Sequence, residues 1–359
     1  MALESSQAAD LKTTAVVPFS PEHLPAVREF CEVHLRRPQS DDYFEWRYLS
    51  SRPFSRMVVA LRGDECLGML FALRKRYRIN GTLTPCLEVF DWHCSPEMQG
   101  TGMGIRLMRA MMKHPEWIIA VSGTVEANSV LALMGWRTIG KSQLYDLPVT
   151  NRMLAPETRN GHPRSMGRTL MGVLSTALTP PHRRAPSAGR VTRAPILSEE
   201  VQQLYADKTG YGLVALPESE HLGWVTSGGW SGKFEILTFA VAGQLRGWAL
   251  TRVYNWGLGL DGDIVDLFAP EPSVGLYSWM VSEATKSLMP SRPRRIRTRA
   301  SCPILRSALL ANGFLRLGSE NAANIRPVGS GFKGGPVHIT LNSSDGPLLP
   351  YQIGSQVVE

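Results

Sequence analysis

The chain has 359 residues, of which 43% are apolar and 19% charged, and a formal net charge of +8. This is an ordinary globular composition with room for one or two cores, and no apolar run approaches the roughly 18 residues of a membrane-spanning helix. The charge is local: residues 150–196 hold eight arginines against the single acid Glu157, which leaves +1 for the rest and excludes a generally basic nucleic-acid-binding surface.

The first fifteen residues are polar and lack the apolar core of a secretory signal. The five cysteines (Cys31, Cys66, Cys86, Cys94, Cys302) are scattered, odd in number and without CxxC spacing. Neither a zinc site nor a disulfide framework is indicated, no metal is expected, and a cytoplasmic location fits. Pro21–Leu35 alternates at helical spacing, and Asp42–Leu49 follows as a second helix behind Ser40 or Asp41. Met57–Arg62 and Cys66–Arg74 are strands across a turn at Gly63-Asp64, and Thr84–Cys94 is a strand after Asn80-Gly81. Thr101–Lys113 is a helix, Trp117–Gly123 a strand, Asn128–Met134 a short helix and Lys141–Leu147 a closing strand. The pattern is mixed α/β.

Residues 150–196 then read as a basic, Pro-rich linker in which only Ser165–Leu178 suggests a helix. The segment beyond it resembles the segment before it. Trp46 and Trp224, Gly68 and Gly247, Asp91 and Asp266, Gly135-Trp136 and Gly313-Phe314, and Gly140 and Gly318 match at offsets of 175 to 179 residues. An internal duplication follows, with boundaries at 1–15 (a flexible start), 16–149, 150–196 (linker), 197–341 and 342–359 (a tail). The tryptophans of the second segment (Trp224, Trp230, Trp248, Trp256, Trp279) suit core packing before sugar stacking. The run Arg292, Arg294, Arg295, Arg297, Arg299 suggests a solvated strand edge.

The most specific stretch is Gln99-Gly100-Thr101-Gly102-Met103-Gly104, between a strand and a helix. Small residues let backbone approach a phosphate, and first-turn N–H groups have no helical partner. A dinucleotide fingerprint fails because Ile105 stands where its third glycine belongs, and no Gly-Lys-Ser/Thr phosphate loop occurs. Gln-x-x-Gly-x-Gly after a strand resembles motif A of the GCN5-related N-acetyltransferase (GNAT) superfamily, and Asn128 through Gly135-Trp136 resembles its motif B. The resemblance covers about residues 16–149.

That resemblance implies two tandem GNAT-like mixed-sheet domains, the second degenerate, since Glu271-Pro272-Ser273-Val274-Gly275-Leu276 lacks the glycine pair. It implies acetyl-coenzyme A, or another acyl-coenzyme A, as co-substrate on Cys94, Gln99, Gly100, Thr101, Gly102, Met103, Gly104 and Asn128. Acyl transfer would proceed by direct attack of an amine on the thioester, with a backbone N–H near His93–Cys94 facing the oxyanion. Candidates for the catalytic groups are Asp91, Glu126, His93 and Asn128, with Glu88 on the opposite face of its strand by simple alternation. The tyrosine that many members carry on the motif B helix is missing, and Tyr145 lies too far along to replace it. The acceptor expected is a small amine or amino sugar, with no nucleic acid and no membrane span, and a homodimer is allowed. A non-catalytic acyl-coenzyme A-binding regulator is the alternative. An aminoacyl-tRNA-dependent transferase fits less well, because the charge outside the linker is near neutral.

Overall fold

The computed structural model describes residues 14–35, 40–121, 123–149, 185–205, 210–228, 232–255, 259–326 and 331–343. The expected helix Ser165–Leu178 lies outside these residues. In chain order, β1 (Ala15–Pro18) leads through a short 3-10 turn into α1 (Leu24–Leu35), then α2 (Asp41–Phe44), which Ser40 caps by accepting from the Tyr43 N–H. The chain continues as one π-helical stretch, Glu45–Ser50, before β2 (Ser55–Arg62), β3 (Glu65–Ile79) and β4 (Thr82–Cys94). Next come α3 (Met103–Met111), β5 (Trp117–Val121), α4 (Val125–Leu133) and β6 (Arg137–Pro148). The remainder is β7 (Gly189–Ala194), α5 (Glu199–Gln203), β8 (Leu213–Ala215), α6 (Ser219–Ser227), β9 (Lys233–Val241), β10 (Gln244–Asn255), β11 (Leu260–Phe268), α7 (Val274–Leu288), β12 (Arg295–Ala300), α8 (Pro303–Ala311), β13 (Leu315–Arg326) and β14 (Val337–His338).

The chain forms two compact units. The first comprises residues 1–77, 83–139 and 322–332, and the second residues 78–82, 140–321 and 333–359. In the first, strand order is β1-β2-β3-β4-β5, with the end of β13 beyond β5. β1 and β2 pair antiparallel, as do β2 and β3, whereas β4 and β5 run parallel from Cys86–Trp117 to Val89–Ala120. The core on the α3 face joins Leu67, Leu70 and Leu87 with Met103, Leu107, Met108 and Met111, which recur at helical spacing along one side of that helix.

The second unit repeats this plan. β7 and β9 pair antiparallel, as do β9 and β10, and β10 and β11, and β11 is parallel to β12. Its core gathers Trp248, Phe268, Trp279 and Met280. Trp224, Trp248 and Trp279 are all buried, which accounts for them as packing groups.

Four expectations are corrected. The linker boundary at 196 cuts through folded chain, because Gly189–Ala194 is strand β7 on β9. The tail does not begin at 342, since the Asn342 amide donates to the buried Asp266 carboxylate at 3.1 Å. The arginine run is no sheet edge: β12 lies between β11 and β6, and its positive charges meet Asp261 and Asp263. Finally, each unit is completed by a strand from the other end of the sequence. The last residues of β13 pair with β5 (Ala323–Val121 to Arg326–Ile118), and β6 pairs with β12 (Gln143–Ala300 to Pro148–Arg295).

Candidate active site

The β4/β5 pairs stop at Val89–Ala120, yet β4 runs on to Cys94. The two strands therefore part at their C-terminal ends, beyond that pair. Asp91 is where β4 departs from regular pleating, with a left-handed φ of 44°. Phe90 and Asp91 both turn toward the same aromatic face: Phe90 packs near Phe71, and Asp91 meets Tyr48, which packs on Phe71. Two successive residues on one face is the signature of a bulge. Simple alternation had separated Glu88 from Asp91. The bulge overturns that, because Lys75 touches both Glu88 and the Phe90 ring.

The carboxylate of Asp91 is 8% exposed and accepts from Arg47 Nε at 3.0 Å and Tyr48 Oη at 3.1 Å. Its charge holds the Arg47 guanidinium protonated even though burial opposes the charge. These contacts make Asp91 a pin that fixes the bulge. Glu88 is likewise held, 2.7 Å from the buried Lys75 ammonium. Sequence reasoning missed Arg47, Tyr48 and Lys75. An arginine and a lysine at otherwise apolar positions were the only signals.

Beyond the bulge, Trp92 and Cys94 pack on the α3 side, and the Trp92 indole N–H donates to the Gly104 carbonyl at 3.1 Å. His93 falls between them on the other side of the strand and is half-buried. Burial pushes the Cys94 thiol up to about 11, so it carries no thiolate near neutrality.

The glycine turn follows at once. A 3-10 turn, Pro96–Met98, leads to Gln99, and Gly100 and Gly102 adopt φ of 76° and 87°, the left-handed region where a side chain is strained. Gly102 is the N-cap of α3, and the first intrahelical bond runs from the Arg106 N–H to the Gly102 carbonyl. The N–H groups of Met103, Gly104 and Ile105 therefore precede the helical ladder, at the positive end of the helix dipole. A Cβ on Gly100 or Gly102 would meet nothing within 4 Å, so the backbone is open to a large anion. This arrangement fits a pyrophosphate.

Across the gap, Thr124 caps α4 by accepting from the Ala127 N–H. The Glu126 carboxylate is exposed, and hydrogen bonds from its own N–H and from Thr124 lower its pKa, which weakens it as a base. Asn128 donates to the carbonyls of Gly123 (3.3 Å) and Thr124 (2.8 Å) and accepts from Asn324 Nδ2 at 2.7 Å. Its amide is thus engaged at both ends. Tyr145 belongs to the second unit and is buried there. No cluster of three or more His, Cys, Asp or Glu among the described residues could hold a metal.

Residues 19–116 match the family model described as an acetyltransferase (GNAT) domain. That stretch, which includes the glycine turn, is similar to a GNAT domain. The match supports an acyltransferase. Solved structures agree in fold. A probable N-acyltransferase from Enterococcus faecalis is similar at 11% identity and a TM-score of 0.59, over 88% of this chain and 72% of that one. A GCN5-related N-acetyltransferase from Anabaena variabilis gives 12% and 0.58, over 87% and 72%. N-myristoyltransferase of Saccharomyces cerevisiae with bound myristoyl-CoA gives 8% and 0.61, over 91% and 81%. At these identities the likeness speaks to the fold alone. No curated protein matches in sequence. Among the described residues no helix is long and apolar enough to cross a membrane.

Proposed function

We propose that this protein is a GNAT enzyme that transfers an acetyl group from acetyl-coenzyme A to the primary amine of a small molecule, an amino sugar among the candidates, by direct attack on the thioester. The observation that carries this is the glycine turn at the mouth of the parted strands. Its N–H groups would receive the pyrophosphate, and the facing edges of β4 and β5 would pair with the pantetheine amides. Direct attack is favoured over an acyl-cysteine because the Cys94 thiol stays protonated. His93, half-buried on β4 just beyond the Asp91 bulge and just before the glycine turn, is our candidate for the group that takes the amine proton, directly or through water. The backbone beside His93 and Cys94 would face the developing oxyanion.

At the equivalent place the second unit carries Glu271-Pro272-Ser273-Val274-Gly275-Leu276, without the glycine pair. Ser273 caps α7 by accepting from the Leu276 N–H, which satisfies a donor that an anion would otherwise use. We therefore assign donor binding to the first unit and a scaffolding or acceptor-binding role to the second.

The test is thermal stabilisation by acetyl-coenzyme A, followed by thiol release against a panel of amines. Acyl donors should range up to myristoyl, since the yeast N-myristoyltransferase shares the fold. Gly102→Glu should abolish the thermal shift, and the same change at Gly275 should preserve it. His93→Gln should lower kcat about 100-fold or more at unchanged donor affinity. A stabilised protein that turns over no acceptor would favour a regulatory acyl-coenzyme A-binding role, for which the engagement of Asp91 and Asn128 speaks.

A further inference from the structure

The donor gap has two walls, and each is held differently. The β4 wall is tied to its own half: the Ser95 N–H donates to the Leu67 carbonyl, and Trp92 is fixed to Gly104. The β5 wall turns at Gly123, where φ is 105°, directly into α4. What steadies that wall comes from β13, more than 180 residues further along the chain. Asn324, 4% exposed, donates from Nδ2 to Asn128 Oδ1 at 2.7 Å and accepts at Oδ1 from the Thr138 hydroxyl at 2.8 Å. The orientation is dictated chemically. Asn128 must turn its NH2 toward the two carbonyls of Gly123 and Thr124, so its oxygen faces Asn324, which must answer with its own NH2. Two residues on, Arg326 Nη1 donates to the Met112 carbonyl at the C-terminal end of α3 at 2.7 Å. One strand thus reaches the start of α4 and the end of α3, the two helices that flank the gap.

We infer that Asn324 is a positioning residue for the acyl-coenzyme A site, acting through Asn128 and the Gly123–Thr124 backbone, so that donor binding in the first unit depends on the far end of the sequence. This rests on the assignment of the gap as the donor site. Asn324→Asp keeps shape and volume but sets a carboxylate against the Asn128 oxygen, and Asn128 cannot flip without facing its oxygen to two carbonyls.

The experiment uses the full chain, acetyl-coenzyme A as probe, calorimetric Kd, and the KM and kcat of both substrates. Asn324→Asp should raise the Kd and the KM of acetyl-coenzyme A about tenfold while the KM of the acceptor holds. Thr138→Val, which frees the other end of the same amide, should raise them about threefold and decides the matter if the first variant does not fold. Donor Kd within twofold of wild type in the folded variants would overturn the inference. A wild type that does not bind acetyl-coenzyme A at all would instead overturn the donor-site assignment, and this inference with it.

Discussion

At the scale of single residues, the buried titratable groups set the pH behaviour. Burial raises the Asp146 carboxyl from 3.8 to about 6, although Arg295 and Arg297 pull the other way. Burial lowers His338 from 6.5 to about 4. A raised carboxyl contributes stability that is complete below its unfolded value and lost as pH rises through about 6. A lowered histidine does the opposite: the unfolded chain takes up the proton first, so stability falls as pH drops from about 6.5 toward about 4. Each contribution is on the order of 3 kcal/mol, so in wild type they largely cancel. Asp146→Asn should expose the histidine's share as a loss of melting temperature on acidification between pH 6 and 4. His338→Asn should reverse the slope. Melting curves of both variants across that range check the pair, and parallel profiles would count against it. Neither group was legible in the sequence, because burial of a charge depends on what packs over it. The same holds for Asp91. Its residue type suggested a base, and only its left-handed backbone and its contact with Arg47 showed why an acid stands there.

At the scale of elements, what was legible was what local pattern encodes. The helix after the turn, the order of strands around it, and the Gly100–Gly104 backbone all follow from periodicity and from glycine chemistry. The repeat was legible too, and the matched pair Gly68 and Gly247 now has a physical reason. Each lies in the third strand of its unit, where a helix crosses closely. A Cβ on Gly247 would stand 2.6 Å from Met280 Cε and 2.7 Å from the Phe268 carbonyl, while one on Gly68 would stand 3.1 Å from Leu107 Cδ1 and the His93 carbonyl. Gly247→Ala should cost about 1–3 kcal/mol by urea titration. Gly68→Ala should cost less stability but shift the His93–Cys94 segment, and so lower acyl transfer out of proportion to its unfolding midpoint. Conversely, the arginines of β12 looked like an edge because alternating charge normally faces water. Asp261, buried and 2.9 Å from Arg295, is what lets them stand inside the sheet.

At the scale of the molecule, the trade of closing strands was not legible at all. β6 and β13 have interchangeable patterns, so nothing local says which β5-like strand each will join. Residues 1–149 alone would end with the outer edge of β5 uncovered and with Asn128 and Met112 lacking their partners from β13. That fragment should give an aggregation-prone product without cooperative melting, in contrast to the full chain. A fragment that melts cooperatively and binds acetyl-coenzyme A would show that β13 is dispensable.

The strand trade also sets a timetable. The pair Ile118–Arg326 closes only when the ribosome has made and released the later partner. At roughly 5–20 residues per second, the β5 edge waits on the order of 10–40 seconds in the growing chain. A duplicated protein whose halves kept their own last strands could finish the first half during that interval. This one leaves the Gly123 wall of the gap unbraced until β13 has been made, so a nascent chain stalled before β13 should be a substrate for chaperones and not yet bind acetyl-coenzyme A.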